Sequence, residues 1–215
     1  QGNQGCRCRQ APCFQVIMLT ILLTLLGFGL GALPFSVWVG QLGLKQDIRK
    51  VGDRNPGATN VLRSGGVLWF GLALALDISK GALPAGLATY IFQLPDWSLV
   101  PIALAPSLGH AFSPLLNFRG GKAIAATFGV WIGLTLWRMP LVSLALLVFW
   151  FLVQDNSGWA VLLTMAGMLL AILWWQLPAP YLAIWLGQLL LLTWTHRQDL
   201  RQRPRRRQLS WLSRS

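Results

Sequence analysis

Seven apolar stretches, at about 14–40, 67–92, 97–116, 123–137, 140–153, 158–176 and 179–195, take up most of this chain, and Asp77 and Lys80 are the only charged residues inside them. Hydrocarbon offers no water to a backbone N–H or C=O, so such stretches must satisfy those groups internally as helices. A helix of about 20 residues crosses the ~30 Å hydrocarbon core. A soluble domain is about one quarter charged, whereas only 11% of these 215 residues are. The expected fold class is therefore an all-α integral membrane protein, a polytopic bundle of about seven transmembrane helices. The fourth and fifth stretches are short, which keeps five or six crossings as the alternative count. Breaks are expected at Pro95, Pro114, Pro140, Asn156-Ser-Gly158 and Pro178-Ala-Pro180, since Pro and Gly end helices. The organisation read from this pattern is an N-terminal tail over 1–13, one membrane domain over 14–196 and a basic tail over 197–215.

The net charge of +12 does not point to nucleic acid, because the cations lie where a membrane protein puts them. Five sit between Lys45 and Arg63, two are Arg119 and Lys122, and seven follow His196. Seven crossings then put the loops at 41–66, 113–122 and 153–158 on one face with the tail. The positive-inside rule makes that face cytoplasmic. The Arg203-Pro-Arg-Arg-Arg207 cluster is expected to rest on anionic lipid, each charge worth ~1 kcal/mol near the surface. Cys6, Cys8 and Cys13 fit no zinc spacing and have no histidine near them. A disulfide, lipidation or an idle tail stay open, as does the true N-terminus of a sequence that opens on Gln1. The first apolar run has no small-residue cleavage site and reads as a retained helix rather than a signal peptide.

Four polar stretches stand out against the apolar background. In "VGDRNPGATN" (51–60), Asn55-Pro56-Gly57 is a turn signal. Thr59, Asn60 and Arg63 follow it with donors and little bulk, as a phosphate site requires, although a plain turn reads equally well. Arg119-Gly120-Gly121-Lys122 places two cations around an unobstructed backbone, but it is not a Walker loop, since Leu116 and Ala123 stand at required positions. Asp77 and Lys80, in "LDISKG", share a helix face at i,i+3. They read either as a functional intramembrane pair or as a buried structural one. His110 and His196 read either as hydrogen-bonded structural residues or as groups that handle a proton. All of these reach the same membrane face, and most supply anion ligands.

The matching residues give this chain a resemblance to a known family. "GALPFSVWVGQ", "DIRKVG" and "GATNVLR", then "LD" and "KG" around residues 76–81, then "LGHAF" and "GGK", then "HR" at the last helix end, resemble the bacterial membrane glycerol-3-phosphate acyltransferases that use acyl phosphate as donor. The likeness runs from about Gly31 to Arg201. It implies a seven-helix enzyme of the bacterial plasma membrane with its site and C-terminus cytoplasmic. The implied reaction joins acyl phosphate and glycerol 3-phosphate to give 1-acylglycerol 3-phosphate and phosphate, with no cofactor, acyl-CoA or metal. Membrane lipid is the expected surrounding partner, and nothing in the sequence bears on oligomeric state. Two phosphate substrates need a basic pocket open to the bilayer, and the acceptor's own hydroxyl is the nucleophile. The expected phosphate ligands are Asn55, Gly57, Thr59, Asn60, Arg63, Arg119 and Lys122, with Gly120 and Gly121 letting backbone N–H groups approach. His110 or His196 is expected to orient or deprotonate the hydroxyl, unless the departing phosphate takes that proton itself.

The chain departs from the family's pattern at three places. Asp53-Arg54 stands where the family usually has Ser-Gly, Asp199 where it usually has Asn, and a Ser-rich loop is reduced to Asp155-Asn-Ser-Gly158. Asp53 would repel a phosphate unless Arg54 neutralises it, or unless Asp53 is itself the base. Three rivals follow. Acyltransferases built on H-x-x-x-x-D are excluded, because Leu115 and Arg201 occupy the acid's position after His110 and His196. A non-catalytic relative would bind or transport an anionic lipid or phosphate ester, and the two acids suit it. A scaffold acting through the Arg tail would leave the glycine-rich loops without a purpose.

Overall fold

The computed structural model describes residues 13–207. Cys6, Cys8 and residues 208–215 of the basic tail lie outside the described residues, and Cys13 is exposed at the first position of the first helix. Each apolar stretch forms a helix. α1 (Cys13–Ala32) breaks at Leu33-Pro34 and resumes as α2 (Phe35–Trp38), which a wide turn over Val39–Gly43 prolongs. The short α3 (Ala58–Gly65) turns into α4 (Val67–Gly86) through Gly66, whose φ of 86° puts it in the region that glycine alone enters freely. α5 (Leu99–Ala111), α6 (Ile124–Thr135), α7 (Arg138–Val153), α8 (Ser157–Trp174), α9 (Ala179–Thr195) and α10 (Arg197–Leu200) complete the described chain.

Four segments have the length and composition to cross a membrane, at Cys13–Gly43, Val67–Ile91, Asp96–Leu116 and Ser157–Trp174. α6, α7 and α9 are apolar but shorter. The 12 residues of α6 reach only about 18 Å at 1.5 Å per residue. The expected break at Pro140 is displaced, and the gap expected at 138–139 is helical. α7 starts at Arg138 and carries Pro140 in its first turn, where the N–H that proline lacks has no intrahelical partner to lose. Large side chains such as Leu25, Phe149, Leu170 and Leu190 are exposed around the outside. That surface suits hydrocarbon, not water.

Two pairs of helices pack backbone to backbone. A Cβ on Gly31 of α1 would strike the Pro106 backbone of α5, and one on Gly109 of α5 would strike the Phe28 carbonyl of α1. Likewise a Cβ on Gly129 of α6 would meet the Ile78 carbonyl of α4, and one on Gly81 of α4 the Ala126 carbonyl of α6. In lipid no hydrophobic effect drives helices together, so close backbone approach and dispersion must hold them. The core between these pairs is filled by Ile102, Val130, Trp131, Met139, Met165 and Ile184, all within 2% of full burial. Trp131 donates its indole N–H to Gln188 Oε1 at 2.7 Å, and Trp185 donates to the Met165 carbonyl at 2.9 Å. Each indole brings a polar group into the apolar interior, and each is satisfied there.

The helix ends on one side of the bundle bring together the loop before α3, the loop before α6, the α7–α8 junction and the end of α9. Arg205 and Arg207 tie to that side through their backbone: Asp155 N–H donates to the Arg205 carbonyl and Arg207 N–H to the Val153 carbonyl. Gly129→Leu would push α6 off α4. It is expected to destabilise the protein by about 1–3 kcal/mol, read as a lower thermal midpoint in detergent, whereas Gly71→Leu, at a glycine with open space around it, should leave the midpoint unmoved.

Candidate active site

Lys122 is the centre of the polar end. It lies between the Gly120-Gly121 pair and α6, and its ammonium donates to Asp53 Oδ2 at 3.0 Å and to Asp199 Oδ2 at 2.8 Å. Asp199 also accepts from Ser157 Oγ at 3.0 Å, and its main-chain carbonyl accepts from Asn156 Nδ2 at 2.6 Å. Asn156 Oδ1 in turn accepts from Gly158 N–H, which caps α8. Burial works against the Lys122 ammonium, but its hydrogen bonds to Asp199 and Asp53 outweigh burial and hold its pKa above the usual lysine value. Lys122 is therefore a fixed cation and not a base. Burial likewise pushes the Asp53 carboxyl up, yet Lys122, with Asn55 and Asn60, holds it below the usual 3.8.

The loop at 51–60 is organised by Asn60, which is buried at the start of α3. Its amide donates to Asp53 Oδ1 at 3.0 Å and to the Asn55 carbonyl at 2.9 Å, and its Oδ1 accepts from Arg63 at 3.1 Å. Asn55 N–H closes the turn onto Asp53 Oδ1, and Gly57 N–H onto the Asn55 carbonyl. Gly52, at φ 56°, has no room for a Cβ, which would strike the Arg63 and Asn60 side chains. Arg54 lies exposed. The cation that neutralises Asp53 is Lys122, with Arg63 at 4.0 Å, and not the neighbouring Arg54. Thr59 and Arg119 are exposed.

Gly120 and Gly121 make a different contribution from the one the sequence suggested. Their N–H groups donate to the carbonyls of Ala111 and His110, at 3.1 and 3.0 Å, and so are occupied. A Cβ on Gly120 would strike the His110 carbonyl, and one on Gly121 the His110 ring. The two glycines let the loop lie flat on the end of α5, which delivers Lys122 to its place. His110 belongs to a second, buried cluster. Lys80 Nζ stands 2.6 Å from Asp77 Oδ1, by proximity rather than an aligned hydrogen bond, and 3.4 Å from His110 Nδ1. Ser36 donates to the other Asp77 oxygen, and the Phe35 ring lies 5.0 Å from Lys80 Nζ. Ser36 was not singled out in the sequence, although it stands inside the quoted "GALPFSVW" stretch. A small cavity of about 10 Å³ lies between this cluster and the loop, lined by Lys80, His110, Ser113, Gly121 and Pro56.

His196 sits on the other side of Lys122, buried at the end of α9. Thr195 Oγ beside it donates to the Lys122 carbonyl at 3.1 Å. His196 Nδ1 lies 2.9 Å from the Leu192 carbonyl. A carbonyl only accepts, so Nδ1 carries the proton and Nε2, which has no partner among the described residues, keeps its lone pair. Burial pushes the His196 pKa below its ordinary value, so the ring is neutral near pH 7. One turn into the bundle from Lys122 and His196, a narrow apolar slot of about 40 Å³ lies between α6, α7, α8 and α9. Thr127, Phe128, Trp131, Leu147, Met165 and Leu192 line it.

The sequence profile of a family described as glycerol-3-phosphate acyltransferase matches residues 21–204. A glycerol-3-phosphate acyltransferase of Desulfovibrio desulfuricans is 36% identical over 198 residues, which cover 91% of this chain and 86% of that one. The enzyme of the same description from Thermus thermophilus is 35% identical over 185 residues, covering 83% of this chain and 88% of its own. Among solved structures, the glycerol 3-phosphate form of PlsY (YgiH), an integral membrane glycerol 3-phosphate acyltransferase, superposes with a TM-score of 0.78 at 26% identity. It covers 94% of this chain and all of its own. The form of the same protein with lysophosphatidic acid gives 0.77 at 27% identity.

Asn60→Ala removes three hydrogen bonds from the loop and is expected to cost about 1–3 kcal/mol, whereas Thr59→Ala should lie within about 0.5 kcal/mol of the parent; thermal midpoints in detergent separate the two. A carboxyl held below its unfolded value stabilises above that value, and the effect is lost as pH falls through the folded one. Backbone hydrogen exchange over residues 51–57, corrected for intrinsic rate, should thus stay slow from about pH 8 to about pH 5 and rise only below 3.8, the value from which Asp53 is lowered.

Proposed function

The chain belongs to the glycerol-3-phosphate acyltransferase family, and we propose that it moves a fatty acyl group from acyl phosphate to the 1-hydroxyl of glycerol 3-phosphate, giving lysophosphatidate and phosphate. The observation that carries this reading is the position of Lys122, a fixed cation two residues before Ile124 of an apolar slot, with Arg63 on the same Asp53 carboxylate. A phosphate ester and an acyl chain need such a junction of charge and hydrocarbon. The names of the related proteins and of the two superposed structures support the same acceptor and product.

In this reading the acyl chain enters the slot between α6, α7, α8 and α9, and its phosphate rests on Lys122. The acceptor hydroxyl attacks the acyl carbonyl carbon, a C–O bond forms, and the bond from that carbon to the phosphate oxygen breaks. Negative charge gathers on the departing phosphate, where the preformed Lys122 ammonium and Arg63 stabilise it. The hydroxyl's proton passes to the departing phosphate, or to His196 Nε2 on a movement that uncovers this buried nitrogen, which has no partner among the described residues. His110 is a positioning residue here, because its ring and carbonyl seat the Gly120-Gly121 turn. Asn55, Gly57, Thr59 and Arg119 complete the polar mouth. The domain spans 14–196 with the tail over 197–215, and the basic loops put the site and the C-terminus on the cytoplasmic face of a bacterial plasma membrane. The two carboxylates on Lys122 favour, as the second reading, a non-catalytic relative that binds or transports an anionic lipid or phosphate ester.

The test uses detergent-purified protein with glycerol 3-phosphate and palmitoyl phosphate, with palmitoyl-CoA as a parallel donor. Equal amounts of lysophosphatidate and phosphate are expected from palmitoyl phosphate alone. Lys122→Ala is expected to lower kcat/KM by about 10²–10³-fold. Turnover with palmitoyl-CoA alone would overturn the donor, and no turnover with either would leave the binding protein.

A further inference from the structure

We propose that Asp53 is a placeholder for the substrate phosphate on Lys122, displaced when a phosphate dianion binds, whereas Asp199 is the lysine's permanent partner and positions it. The proposal rests on the reading of this site as a phosphate-ester site.

The two carboxylates are not tethered alike. Asp199 Oδ2 is shared between Lys122 and Ser157, and its carbonyl is held by the residue that caps α8. Its side chain is only 27% exposed. Rotating it away from Lys122 would also break its contact with Ser157. Asp53 is 44% exposed and lies in a turn whose neighbours Gly52 and Arg54 both have left-handed φ, 56° and 60°. Its Oδ1 is anchored by Asn60 and Asn55, but its Oδ2 has Lys122 alone. Releasing Oδ2 therefore breaks one contact, leaves the loop's own hydrogen bonds whole, and keeps the carboxylate near Arg63, already 4.0 Å from Oδ1.

Charge then selects the exchange. An ammonium has three donors, and the two acids use two of them. A phosphate that met both carboxylates at contact distance would face two like charges, so one must leave, and Asp53 is the one free to go. A carboxylate oxygen and a phosphate oxygen are equivalent acceptors for a cationic donor. A monoanion therefore gains little by replacing Asp53, while a phosphate dianion brings a second charge. Asp53 in this way determines specificity: it bars chloride and free carboxylates from Lys122 and admits phosphate and its monoesters.

The test measures binding and turnover separately. The thermal midpoint of detergent-purified protein is titrated with inorganic phosphate and with sodium chloride, and KM and kcat for palmitoyl phosphate are measured in parallel. Asp53→Asn, which keeps Oδ1 for Asn60, is expected to bind phosphate about fivefold more tightly, to lower KM for palmitoyl phosphate, and to become inhibited by chloride. Asp53→Ser is the second variant and should behave alike. Asp199→Asn should lower kcat about tenfold through a misplaced lysine, with no gain in phosphate affinity. Unchanged or weaker phosphate binding in both Asp53 variants would overturn the proposal. So would a collapse of kcat at constant KM, which would make Asp53 a base, or a gain of phosphate affinity in Asp199→Asn. The phosphate titration needs no turnover, so a protein inactive with both acyl donors would refute the acyltransferase reading while still testing the placeholder.

Discussion

The close approach of α6 to α4 is the contact on which the polar end depends. Gly129 and Gly81 let the two backbones touch, and that contact fixes where α6 begins. Lys122 stands just before that beginning. The loop that leads into it is pressed onto the end of α5 by the Gly120 and Gly121 hydrogen bonds, and α5 is in turn locked to α1 by Gly31 and Gly109. An ammonium on a flexible four-carbon stem is thus delivered by a rigid frame. Without a hydrophobic effect between helices in lipid, only such tight backbone packing can supply that rigidity.

Charge inside this frame is arranged in two layers with different solvation. The inner layer, Asp77, Lys80, His110 and Ser36, is buried and closed on itself. A buried pair of this kind costs desolvation that its mutual attraction roughly repays, and it fixes geometry more than it adds stability. The outer layer, Asp53, Lys122, Asp199 and Arg63, is partly exposed. The small cavity lined by Pro56, Gly121, Lys80 and His110 separates them. The intramembrane pair is the buried layer, and the interfacial lysine the accessible one.

Much of this was legible along the chain. The seven apolar runs map one to one on α1 with α2, α4, α5, α6, α7, α8 and α9, because period and length alone decide whether a stretch can be a helix in hydrocarbon. Asn60 and Arg63 were legible as polar donors after a turn, in a stretch read as loop that folds as α3, and Lys122 as a cation after two glycines. The glycines misled in one respect. A Gly-Gly pair beside a lysine suggests open N–H groups, whereas these two serve close approach to His110. Only packing distinguishes those uses, since both require the absence of a side chain. Asp199 and Ser157 were visible only as departures from a pattern, and their convergence on Lys122 spans separations that no local spacing encodes.

Sequence alone determined the class of solvent, the helical content, the family and the face on which the cations gather, because each follows from composition and local period. Tertiary structure decided which acid neutralises which base. Arg54 adjoins Asp53 in the chain, yet Lys122 is its partner in space. It also decided which histidine keeps a free lone pair, since that depends on where the Leu192 carbonyl falls. Ion pairing and hydrogen bonding act over about 3 Å. Distances of that size between residues far apart in the chain are set by how the helices pack.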